Sequence, residues 1–397
     1  MTDPSRPTEA RLLSELYAVD APESVLLTEY PSSNSKETRF QNDREFLIHD
    51  PFPPPRRELL KYLGPHHLMC GWGNSIPVTS EIIPQTILLD HWRDTFGPAG
   101  CPTWQSLEQT CDTDPLTECV TLFPHQSLSA QQQVIDPAVY YELHSKEAIA
   151  KIDCPQAAVL DQITFPCIAK LTHGYAGLGN FLLNNASDES AMKADLNKYW
   201  PTASVVINSI IPEITGDYGI QFYLHRDGST VWLGLTEQHF DTNLRWSGGS
   251  YDAQQQQDMF EPMKSFVKSI ADYLHANHYF GVVGFDVLKT KGGNFFLVDL
   301  NPRLTGITPF LMASRIFRSE LGHQVGIYQA SCKFGGSLKE LIAAADAVAD
   351  CKVLVLSAFE ETVDSTTHTV AHLSASGKGL SQCLTTLNNI TNRSAKQ

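Results

Sequence analysis

No apolar run in this chain approaches the ~20 residues needed to cross a bilayer, so no membrane-spanning helix is expected. Basic charge is scarce as well. Lys and Arg number 29 against 44 Asp and Glu, and the formal net charge of −15 repels nucleic acid and anionic membrane, so neither is expected as a partner. The opening Met-Thr-Asp-Pro-Ser-Arg-Pro-Thr-Glu lacks the apolar core of a signal peptide. Nine cysteines (70, 101, 111, 119, 154, 167, 332, 351 and 383) form no CxxC and have no His-rich partner spacing. This argues against zinc and for reduced thiols in a cytoplasmic protein. His368 and His372 share one strand face but have no third metal ligand beside them. Fingerprints of the GxGxxG and GxxxxGK[ST] kinds are missing, as is any Ser/His/Asp or Cys/His signature of a covalent nucleophile.

What is present is a globular composition. With 42% apolar and 18% charged residues, 397 residues suffice for a large core in two or three subdomains. Periodicity places a helix around Arg11 to Tyr17, strands at Val25 to Thr28 and Phe46 to His49, and a helix from Arg57 to Leu63. A strand at His67 to Cys70 opens into Gly71-Trp-Gly-Asn-Ser-Ile-Pro, and Asp50-Pro-Phe-Pro-Pro-Pro reads as a rigid surface connector. Short apolar pieces at Thr86 to Leu89 and Val120 to Phe123 alternate with polar loops, and Gln131 to Asp136 is expected at the surface. Farther on come a helix (Ser187 to Tyr199), a strand (Ser204 to Ile211) and a hairpin of Tyr218 to Leu224 with Thr230 to Leu235. Helices at Met259 to His275 and Phe310 to Arg318 follow, then strands at Lys352 to Ser357 and Thr367 to Leu373 and a last helix from Leu380 to Asn388.

Two stretches carry chemistry. In Phe165-Pro-Cys-Ile-Ala-Lys170 an apolar strand ends in a lysine, and a loop with Gly174, Gly177 and Gly179 follows. A lysine at a strand end offers phosphates a fixed point charge, and glycines let a hairpin fold its N–H groups over them without side-chain clash. The second stretch runs from Gly284 to Gly306, two short strands joined by a Lys-Gly-Gly-Asn turn. Alternation puts Asp299, Asn301 and Arg303 on one face, with Asp286 opposite on the neighbouring strand. Two carboxylates and an amide oxygen suit Mg²⁺, with Mn²⁺ as the alternative ion, and Arg303 adds a planar fork for carboxylate or phosphate.

The pairing of Gly-Phe-Asp with Val-Asp-Leu-Asn-Pro-Arg resembles the metal-binding hairpin of the ATP-grasp superfamily, and the lysine followed by glycines resembles its phosphate-covering loop. The resemblance rests on motifs over about residues 145–330 and only on order and length elsewhere. It implies an α/β chain of the α+β ATP-grasp kind. A pre-ATP-grasp-like N-terminal α/β domain (1–142) would precede a lid subdomain (143–215) and a C-terminal subdomain with the metal hairpin (216–397). It implies ATP and two Mg²⁺ ions on Asp286, Asp299 and Asn301, with the phosphates met by Lys170 and by Lys146, or Lys151 as the alternative. Adenine would lie against the backbone of Ser209 to Ile211. The superfamily's acidic ribose contact is replaced here by Asn208, with Glu213 and Asp217 as alternatives. Arg245 is the candidate clamp for a substrate carboxylate, beside Glu237, Gly248 and Gly249, while Arg303 grips an acyl phosphate or the substrate carboxylate. The implied activity is ATP-dependent joining of a small carboxylic acid to an amine, an amino acid, by a catalyst that could act as a homodimer. Two other readings stay open: a biotin-carboxylase-like enzyme, although no Met-Lys-Met carrier motif is present, and an inactive nucleotide-binding regulator, which would not need both Asp286 and Asp299.

Overall fold

The computed structural model describes residues 12–28, 66, 69–73, 75–79, 85–97, 100, 102, 104–105, 117–124, 128–175, 178–201, 203–241, 245–363 and 365–392. The expected strand at Phe46 to His49 and helix at Arg57 to Leu63 lie outside them.

The N-terminal part is built on a parallel sheet of order β3-β2-β1-β4, formed by β1 (Val25–Leu27), β2 (Val78–Thr79), β3 (Trp104–Gln105) and β4 (Cys119–Thr121). Around it lie α1 (Leu13–Asp20), α2 (Thr86–Phe96) and α3 (Pro137–Leu143), the last capped by Asp136, whose carboxylate accepts the N–H groups of Ala138 and Val139. Three local expectations change here. Residues 69–71 form a 3-10 turn rather than the end of a strand, with Gly71 packed so closely that a Cβ there would stand 2.0 Å from Val78. Thr86 to Leu89 is the first turn of α2, whose His91 and Trp92 are buried. Within the glutamine-rich stretch Gln133 is buried and donates its side-chain amide to the Leu128 carbonyl at 3.4 Å.

After a 3-10 turn at Lys146–Lys151, a three-stranded antiparallel sheet of order β6-β5-β7 forms from β5 (Cys167–Tyr175), β6 (Leu178–Leu183) and β7 (Val205–Ser209). One face of it packs α4 (Ala186–Tyr199) through a small core of Cys167, Ala169, Leu183 and Met192. Lys170 stands inside β5 and not at its end, because the strand runs on to Tyr175, which pairs with Leu178.

Eight antiparallel strands then make the main sheet, in the order β12-β11-β8-β9-β10-β13-β15-β14. They are β8 (Ile214–Leu224), β9 (Thr230–Phe240), β10 (Trp246–Asp252), β11 (Gly281–Thr290), β12 (Phe295–Asn301), β13 (Val325–Phe334), β14 (Lys352–Val363) and β15 (Thr366–Gly377). Helices α5 (Ala253–Ala276), α6 (Thr308–Leu321), α7 (Leu338–Asp346) and α8 (Leu380–Asn392) pack against it. In α5 the buried Met259, Met263, Phe266, Val267, Ile270 and Leu274 recur at three- and four-residue spacing, one apolar stripe against the sheet. Leu13, Leu16, Trp72 and Trp92 of the N-terminal part share one core with β8 and β11. Trp92 donates its indole N–H to the Val355 carbonyl at 2.8 Å, and the Val355 N–H donates to the His91 ring at 3.1 Å.

A strap of chain from Pro155 to Leu160 joins the two antiparallel sheets. Leu297 on β12 donates its N–H to the Pro155 carbonyl (2.8 Å), Ser209 on β7 to the Ala158 carbonyl (2.9 Å), and Leu160 to the Ile207 carbonyl (2.8 Å). No helix of the described residues is long and apolar enough to cross a membrane.

Candidate active site

The β11–β12 hairpin sets Asp286 directly opposite Asp299. Pairing then slips between Asp286 and Val287, so Val298 is an extra residue on β12 and its carbonyl turns outward. Lys170 donates its ammonium to that carbonyl at 2.9 Å, docking the three-stranded sheet onto the hairpin. Past Asn301 the chain turns sharply: Arg303 N–H donates to the Asn301 carbonyl at 2.8 Å, and a Cβ on Gly284 would meet Thr305 at 2.8 Å. Pro302 thus takes Arg303 off the strand yet keeps it beside Asn301, whose Oδ1 accepts from Arg303 Nη2 at 2.8 Å. The N-terminal part braces this turn. Phe123 lies under the guanidinium at 4.9 Å, and the Tyr140 hydroxyl is 3.0 Å from the Pro302 carbonyl.

Ser145 caps the 3-10 turn, accepting the Glu147 N–H at 3.2 Å, and so delivers Lys146 to the hairpin, where its ammonium pairs with Asp299. Lys151 ends the same turn exposed, away from the cluster. Burial pushes the Asp286 carboxyl well above the usual carboxylate range, with the Asp299 and Asp217 charges adding to the shift. Burial acts the same way on Asp299, but the ammonium groups of Lys146 and Lys170 outweigh it and hold that carboxyl below its ordinary value. Lys170 is lowered, by burial first and then by Lys146. Asp217 is pushed up to about 6 by burial, with Lys170 opposing. The same face therefore carries one ionised carboxylate and two carboxyls held up in their pKa.

These side chains line a cavity of about 530 Å³ between the two antiparallel sheets. Lys146, Lys170, Asn208, Ser209, Ile211, Asp217, Asp286, Asp299, Asn301 and Arg303 all face it. Other candidates from the sequence do not. Arg245 is exposed just before β10, its N–H donating to Asp241 Oδ1 at 2.9 Å. Glu237 pairs with Tyr218 and so takes the face opposite Asp217, whereas its neighbour Gln238 lines the cavity. Gly248 and Gly249 lie inside β10 instead of a loop, and a Cβ on Gly248 would fall 2.1 Å from the Tyr328 carbonyl oxygen. Gly174 and Gly179 belong to the β5–β6 hairpin outside the cavity wall, Gly177 is outside the described residues, and Glu213 is exposed. Cavity residues that sequence reasoning passed over include Gln221, Gln238, Phe240, Trp246 and His66, and His372, weighed there only as a metal ligand, lines the cavity as well. For Gln221 a signal existed: it follows Asp217 and Gly219 at strand alternation on β8.

The donor set fits a hard divalent ion. Asp286 and Asp299 offer carboxylate oxygens, Asn301 an amide oxygen, and Asp286 is a buried carboxyl that a divalent cation would return to its ionised form. The cavity also suits a purine nucleotide. Ile149, Ile168, Ile211 and Leu288 form an apolar slot beside the backbone of Asn208 and Ser209.

Residues 146–301 match the family described as L-aspartate--L-methionine ligase, ATP grasp. No curated protein matches the chain by sequence. Among solved structures, N5-carboxyaminoimidazole synthetase from Staphylococcus aureus complexed with ADP is 11% identical, with a TM-score of 0.54 over 93% of this chain and 97% of that one. The L-amino acid ligase from Bacillus licheniformis is 12% identical, with a TM-score of 0.52 over 82% of this chain and 95% of that one. Pyruvate carboxylase from Rhizobium etli is 8% identical, with a TM-score of 0.54 over 93% of this chain and 37% of that one. At such identities the likeness is one of fold. The matched family segment, however, holds every charged side chain of the cluster except Arg303, so it is over residues 146–301 that the chain is similar to an ATP-grasp ligase in sequence as well as in fold.

Proposed function

We propose that the protein transfers the γ-phosphoryl group of ATP to a substrate carboxylate and passes the resulting acyl phosphate to the amine of an amino acid. The observation that carries this reading is the convergence of Asp286, Asp299 and Asn301 with Lys146, Lys170 and Arg303 in one cavity. The chemical need is simple. A carboxylate does not accept an amine because oxide cannot leave, whereas phosphate can. Phosphoryl transfer breaks the bond from the γ-phosphorus to the bridging oxygen and leaves ADP; amide formation then breaks the C–O bond to phosphate, forms C–N, and releases phosphate and one proton of the neutral amine. Mg²⁺ held by Asp286, Asp299 and Asn301 supplies charge neutralisation on the phosphates.

The chain's own residues do the rest. The isoleucine-lined slot takes the purine, Asn208 or Asp217 the ribose, and Lys146 and Lys170 hold the phosphate chain by point charge. Arg303, fixed by Asn301 and Phe123, presents its guanidinium where the acyl phosphate develops charge, which favours the transition state over bound ATP. Amino acids are the substrate class we favour, because the matched family is described by two of them and a fold neighbour is an L-amino acid ligase. The test is an amino-acid matrix with ATP and Mg²⁺, read as phosphate release, with hydroxylamine replacing the amine to trap acyl phosphate as hydroxamate. Hydroxamate should form from one acid and require ATP. Carboxylate-independent ATP hydrolysis alone, or AMP and pyrophosphate as products, overturns the reading.

A further inference from the structure

Past Arg303 the cavity runs on across the main sheet, away from the metal hairpin. Its far chamber is lined by Phe240 on β9, Trp246 on β10, Ala330 on β13, His372 on β15, Ile307 at the start of α6, and His66 from the N-terminal part. β10 lies three strand spacings from β11, about 14 Å from the carboxylates. Trp246 closes much of that distance. Its indole leans back until its tip is 3.2 Å from where a Cβ on Gly306 would stand, three residues after Arg303. Behind it the rings continue: Trp246 to Tyr328 at 5.7 Å, Tyr328 stacked on His372 at 5.7 Å, and His372 to His66 at 4.6 Å.

None of the six lining residues named carries a fixed charge. Burial lowers the His66 imidazole to about 4, so it is neutral, and its Nε2 donates to the Gly306 carbonyl at 2.6 Å. Among the described residues of this chamber beyond Arg303 none offers a counter-ion, so a charged side chain lodged here would lose hydration uncompensated, whereas a flat or long apolar one would gain contact with the indole. The acid to be activated must place its carboxyl at the hairpin, between Asp286, Asp299 and Arg303. A nucleophile attacking that acyl phosphate needs room clear of the hairpin, and the chamber lies in the same cavity on the side of Arg303 away from it.

We infer that this chamber holds the side chain of the amine substrate, that it selects a neutral aromatic or long apolar side chain over a charged one, and that Trp246 is the specificity-determining residue. The inference rests on the ligase reading above, and the two can fail separately. With a fixed acid, kcat/KM is measured for phenylalanine, methionine, alanine, aspartate and lysine as amines, in the wild type and in Trp246→Ala, Trp246→Phe and Gly306→Ala. The wild type should prefer phenylalanine or methionine over aspartate and lysine by about tenfold or more, the range expected for a hydrophobic pocket. Trp246→Ala should erase most of the phenylalanine-to-alanine ratio, and Trp246→Phe should keep most of it. Gly306→Ala, which pushes the indole inward, should shift preference toward smaller amines, and it carries the test should Trp246→Ala fail to fold. Hydroxamate formation by the wild type scores the ligase reading on its own. If hydroxamate forms but charged amines serve as well as apolar ones, or the ratios stay put in the variants, the chamber is not the amine subsite. If the variants change preference among acids instead of amines, the chamber serves the other substrate and the inference is wrong. If no acid gives hydroxamate, the ligase reading falls and this inference with it.

Discussion

Arg303 is a guanidinium held from three sides. Asn301 Oδ1, the Leu304 carbonyl and the Phe123 ring fix its guanidinium, and Tyr140 holds the peptide before it through Pro302. Such fixing matters because a preorganised donor need not reorganise at the moment of reaction. Hydrogen bonds to charged groups contribute about 1.5–3 kcal/mol, so Arg303→Ala should slow single-turnover amide formation at saturating ATP by roughly 10- to 150-fold. Arg303→Lys should recover only part, for want of the two-pronged fork. A change confined to the Michaelis constant for ATP would instead make Arg303 a nucleotide anchor. Most of the charged cluster was legible in the sequence because strand alternation and a short hairpin are local facts: Asp286, Asp299 and Asn301 need only each other. Phe123, Tyr140 and His66 lie more than 140 residues away from the hairpin in sequence, and no local period reports them. Trp246 was hidden for another reason. The pairing of β10 with β9 slips between Trp246 and Gly248, which resets the alternation from which its orientation would be read.

Whole elements were missed where glycine replaces apolar alternation. β10 reads Trp-Ser-Gly-Gly-Ser-Tyr-Asp, and its glycines mark close backbone approach rather than a mobile loop. Gly248 sits at φ +145° with its absent Cβ 2.1 Å from the Tyr328 carbonyl oxygen, so any side chain drives β10 from β13. Gly248→Ala should therefore be severely destabilising. Gly293→Ala, in the hairpin turn at φ +82° with nothing within 4 Å of the added carbon, should cost only about 1–2 kcal/mol. Urea unfolding of the two variants makes the comparison, and equal losses would count against close strand contact as the role of Gly248. Helix α7 carries a local signal of its own. Ser337 and Glu340 cap each other reciprocally at its start, a spacing visible in Ser-Leu-Lys-Glu.

At the scale of the molecule, buried imidazoles set the acid limit. Burial lowers His66 and His173 to about 4 and holds His144 well below its ordinary value, while the unfolded imidazole ionises near 6.5. Between those values the unfolded chain binds the extra protons, so the stability these groups contribute is complete above pH 6.5 and lost as pH falls toward 4. Asp217 and Asp286 act in the opposite sense, since their raised carboxyls are already protonated in the fold where the unfolded ones are not. His91, His239 and His323 are lowered by burial as well, so the imidazoles outnumber the two raised carboxyls and the net sense is a loss of stability as pH falls. The urea midpoint should fall from pH 7 to pH 5, and a flat or rising midpoint would contradict the balance. The strap from Pro155 to Leu160 bears on a different matter, the company this sheet can keep. β12 is a terminal strand, and the main chain at Pro155 already accepts the outward N–H of Leu297. At the other terminus, β14, the outward N–H and carbonyl of Val355 are taken by His91 and Trp92. At Leu297 and at Val355 the edge is thus already taken by the chain itself, so a strand from a second copy could pair at those two points only by displacing these contacts.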